Sequence, residues 1–488
     1  MSNQDIDMEK PDYEKVDFPA AAQGIDPQDD KRILRRIDIC LLPVMALSYF
    51  FQFVDKTALG STAVLGLRDD LNLSGQDYSW ANSIYYFGYL VATGPFAMVM
   101  VRWKVGKMIS GAVLLWGITL LLAFVCHNAS GLLVQRFFLG FLEAPIAPGL
   151  SLIVSMWYKR SEQPLRHAGW FMGNSFAGMA GSLMAYGIGH IDTIAPWKAV
   201  FIIFGALTIT WSVALYFLLP DTPTTAWFLN EVDRKKAVDR VNENMMGVKD
   251  DEFKWYQVRE CLLDPKTYFL LVINFASVIP NGAEQGFTSI VISGLGFNHL
   301  NTLLLQSAKY VFQAAFVLTL TTLSSKMRNV RTYWMAFAYA VAIVGVVLVR
   351  QLPPENKWGR YSGFVILISF TANMPLILSI ISGNFGGFTK KVTMNALYFV
   401  SYCVGNIIGP QTFLPKEAPG YKTGFLIMLT CFTIGLLTCL ALRLYLIKAN
   451  RDRDKAALGT EAEFVDGQTI LNLEDKTDRE ISEFRYVY

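Results

Sequence analysis

Charge is scarce in this chain. Asp, Glu, Lys and Arg make up 17% of its 488 residues while hydrophobic residues make up 53%, and the charges sit in gaps between apolar runs. A soluble chain of this length would bury shorter runs between polar faces, so that class is excluded. Histidine is scarcer still, at four residues without ligand spacing, and the six cysteines (Cys40, Cys126, Cys261, Cys403, Cys431, Cys439) are scattered. The cysteines read as small packing residues, neither a disulfide framework nor a metal site, and no cofactor is expected. An intramembrane enzyme would need a catalytic His or metal cluster at depth, whereas His167 and His190 fall at helix ends without a partner set. Residues 1–30 have no apolar stretch, so no cleaved signal peptide is expected and the first helix must insert the chain itself. A net charge of only +3 implies no nucleic-acid partner.

What the chain has is apolar length. Runs of about 20 residues, enough to cross a bilayer as helix, are expected near 38–58, 80–101, 107–126, 131–156, 167–190, 198–219, 267–293, 301–324, 332–350, 361–382, 392–413 and 423–446. The fold class is therefore an all-α membrane protein of twelve transmembrane helices in two six-helix halves. Its units are an N-terminal tail at 1–36, a first half at 37–219, a connector at 220–266, a second half at 267–446 and a C-terminal tail at 447–488. Lys31, Arg32, Arg35 and Arg36 precede the first helix, and Arg102, Lys104 and Lys107 follow the second. Lys159, Arg160 and Arg166 follow the fourth, and Lys326, Arg328 and Arg331 the eighth. These gaps fall on one side, so both termini and the connector are expected in the cytoplasm; Arg350, Lys357 and Arg360, beside Glu355, are the exception. The connector alternates charge with Phe228, Val232, Val238 and Val241, the pattern of a short amphipathic helix at the membrane surface. Asn72-Leu-Ser74 is a glycosylation sequon on the opposite side.

Ionisable residues at bilayer depth cost roughly 2.5–3.5 kcal/mol each on insertion scales and mark pathways or sites. Arg136, Gly140 and Glu143 in the fourth run are spaced i, i+4, i+7 and stack on one helix face, two turns from base to acid. Gly173, Ala177, Gly181, Ala185 and Gly189 in the fifth run, with Ser401, Gly405 and Gly409 in the eleventh, form small-residue seams for close helix packing.

The run Arg136, Gly140, Glu143, Pro148, Trp157-Tyr158, Glu162 and Arg166 resembles the signature of the anion:cation symporter branch of the major facilitator superfamily. That branch includes fungal allantoate, nicotinate, pantothenate and biotin permeases, and the Arg-xxx-Gly-xx-Glu portion is also similar to vesicular glutamate and sialic acid transporters. Further matches are Phe53-Val-Asp55-Lys56, Pro220-Asp221-Thr-Pro223 with Ala226-Trp-Phe-Leu229, Pro280-Asn281-Gly282, Gly409-Pro410-Gln411-Thr412-Phe413 and Phe484-Arg485-Tyr486. The last two resemble the allantoate permease group in particular. One departure is the gap between the second and third helices, which keeps Arg102, Lys104, Gly106 and Lys107 but lacks the Asp of the general superfamily motif.

The resemblance implies a secondary transporter for proton-coupled uptake of a small organic anion, allantoate-like first, at the fungal plasma membrane, working as a monomer. The alternatives are a vitamin permease (nicotinate, pantothenate, biotin or thiamine type), an efflux pump, or a nutrient sensor without transport. In this reading Arg136 binds the carboxylate, since guanidinium offers a planar fork, unless it pairs statically with Asp55 or Glu143. Glu143 is the proton carrier or else the partner of Arg136. Asp55 and Glu284 lie at matching depths near one end of the first and seventh helices and belong to an outer gate, or are exposed carboxylates at its mouth. Lys56 is expected to snorkel outward. Lys309, about nine residues into the eighth helix, supplies a second cation for the substrate or countercharges Glu284 or Glu143. Asn174, Asn281 and Tyr398 are further substrate-binding candidates, drawn from a polar set that also holds Gln285, Asn373, Asn395 and Tyr402.

Overall fold

The structure is a computed structural model that describes residues 26–159, 162–242, 253–327, 329–457, 475–481 and 484–488. Arg160 and Arg328, both used for orientation above, lie outside them, as do the first 25 residues and 458–474.

Twelve long helices follow one another. The first, α1, begins at Pro27, ahead of the expected 38, because Asp26 accepts a hydrogen bond from Gln28 N at 3.0 Å and proline at the first helical position loses no intrahelical bond. It runs Pro27–Thr62, widens through one turn at Ala63–Leu67, where Gly66 takes φ +98°, and ends with Arg68–Asp70. The next are α2 (Asp77–Arg102) and α3 (Val105–Leu121). In the first half two further helices are interrupted: α4 (Ala129–Glu143 and Ile146–Trp157) at Pro145, and α5 (Gln163–Phe171 and Gly173–Ile188) at Met172. The first half closes with α6 (Pro196–Leu218). The second half is α7 (Pro265–Gly294), α8 (His299–Lys326), α9 (Arg331–Gln351), α10 (Lys357–Leu367 and Asn373–Asn384), α11 (Phe388–Gln411) and α12 (Lys422–Ala457). Ten of these are long and apolar enough by themselves to cross a membrane. The seventh qualifies together with Trp255–Leu262, from which it bends by 64°. The fifth falls short because its break leaves a longest piece of 16 residues.

The small-residue seams are packing surfaces. A Cβ on Gly173 would stand 2.6 Å from Ala46 O of α1, and one on Gly409 would stand 2.3 Å from Ile279 O of α7. The tightest approach joins α2 to α4, where a Cβ on Gly140 would fall 1.9 Å from Tyr85 O. Gly140 is therefore what brings the backbone of α2 against the charged face of α4.

The connector departs from expectation. Its helix, Glu231–Asn242, exists, but two of its charged residues turn inward: Asp233 and Arg240 are buried while Val232 is 61% exposed and Glu231, Lys235 and Asp239 face outward. Asp233 pairs with Arg32 at 2.7 Å and Arg36 at 3.0 Å, and Arg240 with Asp30 at 2.7 Å and with Glu162. The start of α1 thus supplies partners for charges that amphipathic periodicity assigns to solvent. These contacts, and those of the described part of the C-terminal tail with Trp255–Leu262 and α11, place the start of α1, that tail and the connector at one end of the bundle, called the terminal end below.

Candidate functional site

Between the halves lies an open cavity whose empty space, including solvent at its mouth, is about 1320 Å³. Hydrogen bonds between the halves cluster away from the end that carries the termini. Tyr78 donates to Gly286 O at 2.6 Å, Ser83 to Ile407 O at 2.7 Å, and Gln411 to Ser83 Oγ at 3.0 Å. Among the described residues no hydrogen bond joins the halves at the terminal end, where Ala147, Met172, Val317 and Pro375 carry the cavity wall onward.

Among the described residues the charged ones on the wall are Lys56 and Glu284. Lys56 does not snorkel outward. Its ammonium donates to Tyr402 Oη at 3.2 Å and lies 4.9 Å from the Tyr86 ring centre and 5.6 Å from that of Tyr85. Three tyrosine faces give the cation a quadrupolar cage at depth, which the sequence position alone, near a helix end, did not reveal. No carboxylate stands in ion-pair distance of it among the described residues.

Tyr85 connects the wall to the charges behind it. Its ring faces the cavity and its hydroxyl donates a hydrogen bond to Glu143 Oε2. The guanidinium of Arg136 sits 5.9 Å from the same ring. Glu143 and Arg136 are both buried and are not in ion-pair contact: among the described residues Glu143 Oε1 and Arg136 Nε and Nη1 have no hydrogen-bond partner. Arg136 stands behind Tyr85 and off the cavity wall.

Asp55 is fully buried within the first half, its Oδ2 accepting from Trp116 Nε1 at 2.7 Å and Thr208 Oγ1 at 2.8 Å while Oδ1 has no partner. It touches neither Arg136 nor the second half, and its donors come from α3 and α6. Glu284 reaches the wall from α7, and Lys309 of α8 meets it from behind, the two joined by an ion pair and by Thr288, whose hydroxyl donates to Glu284 Oε1 at 2.7 Å. Neither carboxylate is an exposed mouth residue, at 0% and 5% exposure.

Asn174, Asn281 and Tyr398 all line the cavity. Asn281 donates to Asn406 Oδ1 at 3.0 Å, whereas Asn174 Oδ1 and Tyr398 Oη have no protein partner, and neither does Oε1 of the neighbouring Gln52. Buried polar atoms are rarely left unbonded, so such atoms around one space are suited to a polar ligand. Asn395, by contrast, is exposed and off the wall. Lys56, Gln52, Tyr86 and Tyr402 also belong to the polar wall, with Gln285, which accepts from Tyr86 Oη at 3.1 Å. Their depth was readable, but the azimuth that turns them inward required the helix packing.

The family model described as Major Facilitator Superfamily matches residues 45–410. An uncharacterized transporter of Schizosaccharomyces pombe is 35% identical over 494 residues, covering 98% of this chain and 92% of its own length. The allantoate permease of Saccharomyces cerevisiae is 31% identical over 475 residues, covering 95% and 87%. Among solved structures, the xylose transporter of E. coli in a partially occluded inward open conformation superposes with a TM-score of 0.64. That alignment covers 82% of this chain and 96% of the other at 10% identity, a likeness of fold.

Proposed function

The chain belongs to the Major Facilitator Superfamily, and from that premise we propose that it carries a small organic anion, allantoate-like first, into the cell together with protons. The observation that carries the reading is Lys56, an ammonium on the cavity wall with no carboxylate in ion-pair distance among the described residues; Glu143 attracts it only from behind Tyr85, and Glu284 is already paired with Lys309. A cation held away from water attracts an anionic partner strongly, because Coulombic attraction is far less screened there than in bulk solvent. The amides of Gln52, Asn174 and Asn281 suit the neutral end of a ureidocarboxylate, which both donates and accepts hydrogen bonds. Similarity to an allantoate permease supports the same choice.

Protons enter the reading through Tyr85. Glu143 can carry one on a carboxyl that has a free oxygen, and its change of charge reaches the cavity through the hydroxyl that bonds it. With the termini and the connector in the cytoplasm, as their basic residues favour, the cavity in this conformation opens inward. The plasma membrane is the compartment this reading assigns, and a single chain contains the whole site.

The test is uptake of labelled allantoate by cells expressing the chain, with and without a protonophore. Accumulation that collapses with the proton gradient, and an apparent KM at least tenfold higher in Lys56→Gln, are expected. Uptake of cations in preference to carboxylates, or an unchanged KM in well-expressed Lys56→Gln, would overturn the reading.

A further inference from the structure

Glu284 is out of place on the wall of an anion site. Its carboxylate faces the cavity opposite the first half, and alone it would cancel Lys56 and repel an entering carboxylate. Lys309 is not on the wall; it is fully buried behind Glu284, held there by the ion pair, by a hydrogen bond to Thr288 Oγ1 at 3.1 Å and by the Tyr310 ring 4.3 Å from its ammonium. The wall's two charges, Lys56 and Glu284, sum to zero, and Lys309 behind them leaves one positive charge over. The buried charges of the first half, Arg136, Glu143 and Asp55, lie off the wall and are the same in every variant compared below.

We propose that Lys309 is a positioning residue that sets the sign of the cavity: by neutralising Glu284 it makes the site accept an anion and reject a cation or zwitterion. The inference rests on the anion-site reading and assigns the selectivity to a pair whose cationic member never meets the substrate. It follows that the two charges act as one unit. Removing Lys309 alone exposes an uncompensated carboxylate to the cavity, removing Glu284 alone frees a second cation, and removing both restores the original balance. A merely structural pair does not predict this alternation of sign.

The experiment reads the cavity potential without any substrate. A cysteine placed on the wall of the full-length chain by Ala147→Cys is reacted with an anionic and a cationic methanethiosulfonate reagent. Reaction of the six native thiols is subtracted using the same chain without that change. The ratio of anionic to cationic rate cancels differences in thiol reactivity and accessibility, and leaves the potential. Lys309→Gln is expected to lower the ratio at least tenfold, Glu284→Gln to raise it, and the double variant to return it to within about threefold of the starting value. Labelled allantoate uptake should follow the same order, with the double variant recovering what Lys309→Gln loses. Should Lys309→Gln fail to fold, Glu284→Gln and the double variant decide by themselves, since the first must raise the ratio and the second must not. An unchanged ratio in Lys309→Gln, or a double variant as low as that single one, overturns the inference. Absence of any anion uptake by the unaltered chain would instead overturn the transport reading, while the ratios still report what Lys309 does.

Discussion

Two buried ionisable side chains seven residues apart on α4 invite an ion pair, yet Tyr85 of α2 takes the hydrogen bond of Glu143, and Arg136 faces the ring of the same tyrosine. The spacing on α4 was legible from sequence. The tyrosine was not, because its role depends on how α2 crosses α4. Placing Tyr85 between acid and cavity makes a specific expectation about coupling. Glu143→Gln keeps the size of a protonated carboxyl and cannot release a proton, so it should abolish accumulation against a gradient while leaving exchange of labelled for unlabelled substrate. Tyr85→Phe keeps the ring on the wall and removes only the bond to Glu143, so it should weaken the pH dependence of uptake with a smaller effect on exchange. Both are measured as initial uptake rates between about pH 5 and 7.5, normalised to protein at the cell surface. If well-expressed Glu143→Gln still concentrates substrate in a pH-dependent way, the proton travels by another group, and Asp55 is the next buried carboxylate with a free oxygen. Lys309 shows the same contrast between depth and partner. Its burial could be read from nine residues of helix ahead of it, whereas the choice of Glu284 over Glu143 as countercharge required the neighbouring helices.

At the level of helices, hydrophobic length was the strong signal, and it located all twelve with ends that moved by several residues. The early start of α1 came from a polar stretch whose charges pair with the connector helix, which no periodicity in either segment discloses. The same blindness misread the connector, since an inward charged face needs a charged partner elsewhere in the chain. Glycine seams were readable as close approaches, though not which helix approached. Gly140 and Gly94 give the sharpest contrast. A Cβ at Gly140 would lie 1.9 Å from Tyr85 O and 2.8 Å from its carbonyl carbon, whereas one at Gly94 would meet nothing within 4 Å. Both residues are helical, so propensity favours alanine at each alike. Gly140→Ala must therefore push α4 from α2, an overpacking cost of about 1–3 kcal/mol, and carry Tyr85 away from Glu143. It should lower the melting temperature of detergent-purified protein and impair uptake, while Gly94→Ala leaves both unchanged. Equal melting curves for the two variants would mean that the α2 and α4 backbones are not in contact.

Taken whole, the molecule has two halves that bond to each other at one end and, at the other, carry separate ion clusters. The first half is tied to the connector through Asp233 and Arg240; the second is tied to its own tail. Asp478 of that tail is fully buried between α7 and α11, pairing with Lys266 and, at 2.7 Å, with Lys390, while Gly386 N donates to it at 3.1 Å. Further along, Asn384 exchanges two hydrogen bonds of 2.7 Å with Val487, and Asn450 two of 2.9 Å with Tyr486. The tail therefore fastens α7, α10, α11 and α12 together at one end, which suits a half that must rock as a rigid body when the cavity changes sides. Each lysine contributes attraction that holds the Asp478 carboxyl down at about 2, against an ordinary value of 3.8. A depressed folded value means stability that is complete above the unfolded one and lost as pH falls through the folded one. The tail should thus stay docked at neutral pH and down to about 4, and loosen only between about pH 4 and 2, with Asp264 sharing both lysines and Glu260 sharing Lys390. Asp478→Asn removes the charge at every pH, and breaking one partner of a buried pair costs about 3–5 kcal/mol. That variant, and removal of 475–488, should lower the melting temperature and open the 384–390 segment to protease, because Gly386, Phe388 and Lys390 all bond to the tail. The bonds between the halves involve none of these residues, so cysteines placed beside Tyr78 and Ser83 should keep their labelling rates. A truncated chain whose 384–390 segment resists protease as well as the full chain would show that the helices of the second half hold their own ends together, with the tail merely resting on them.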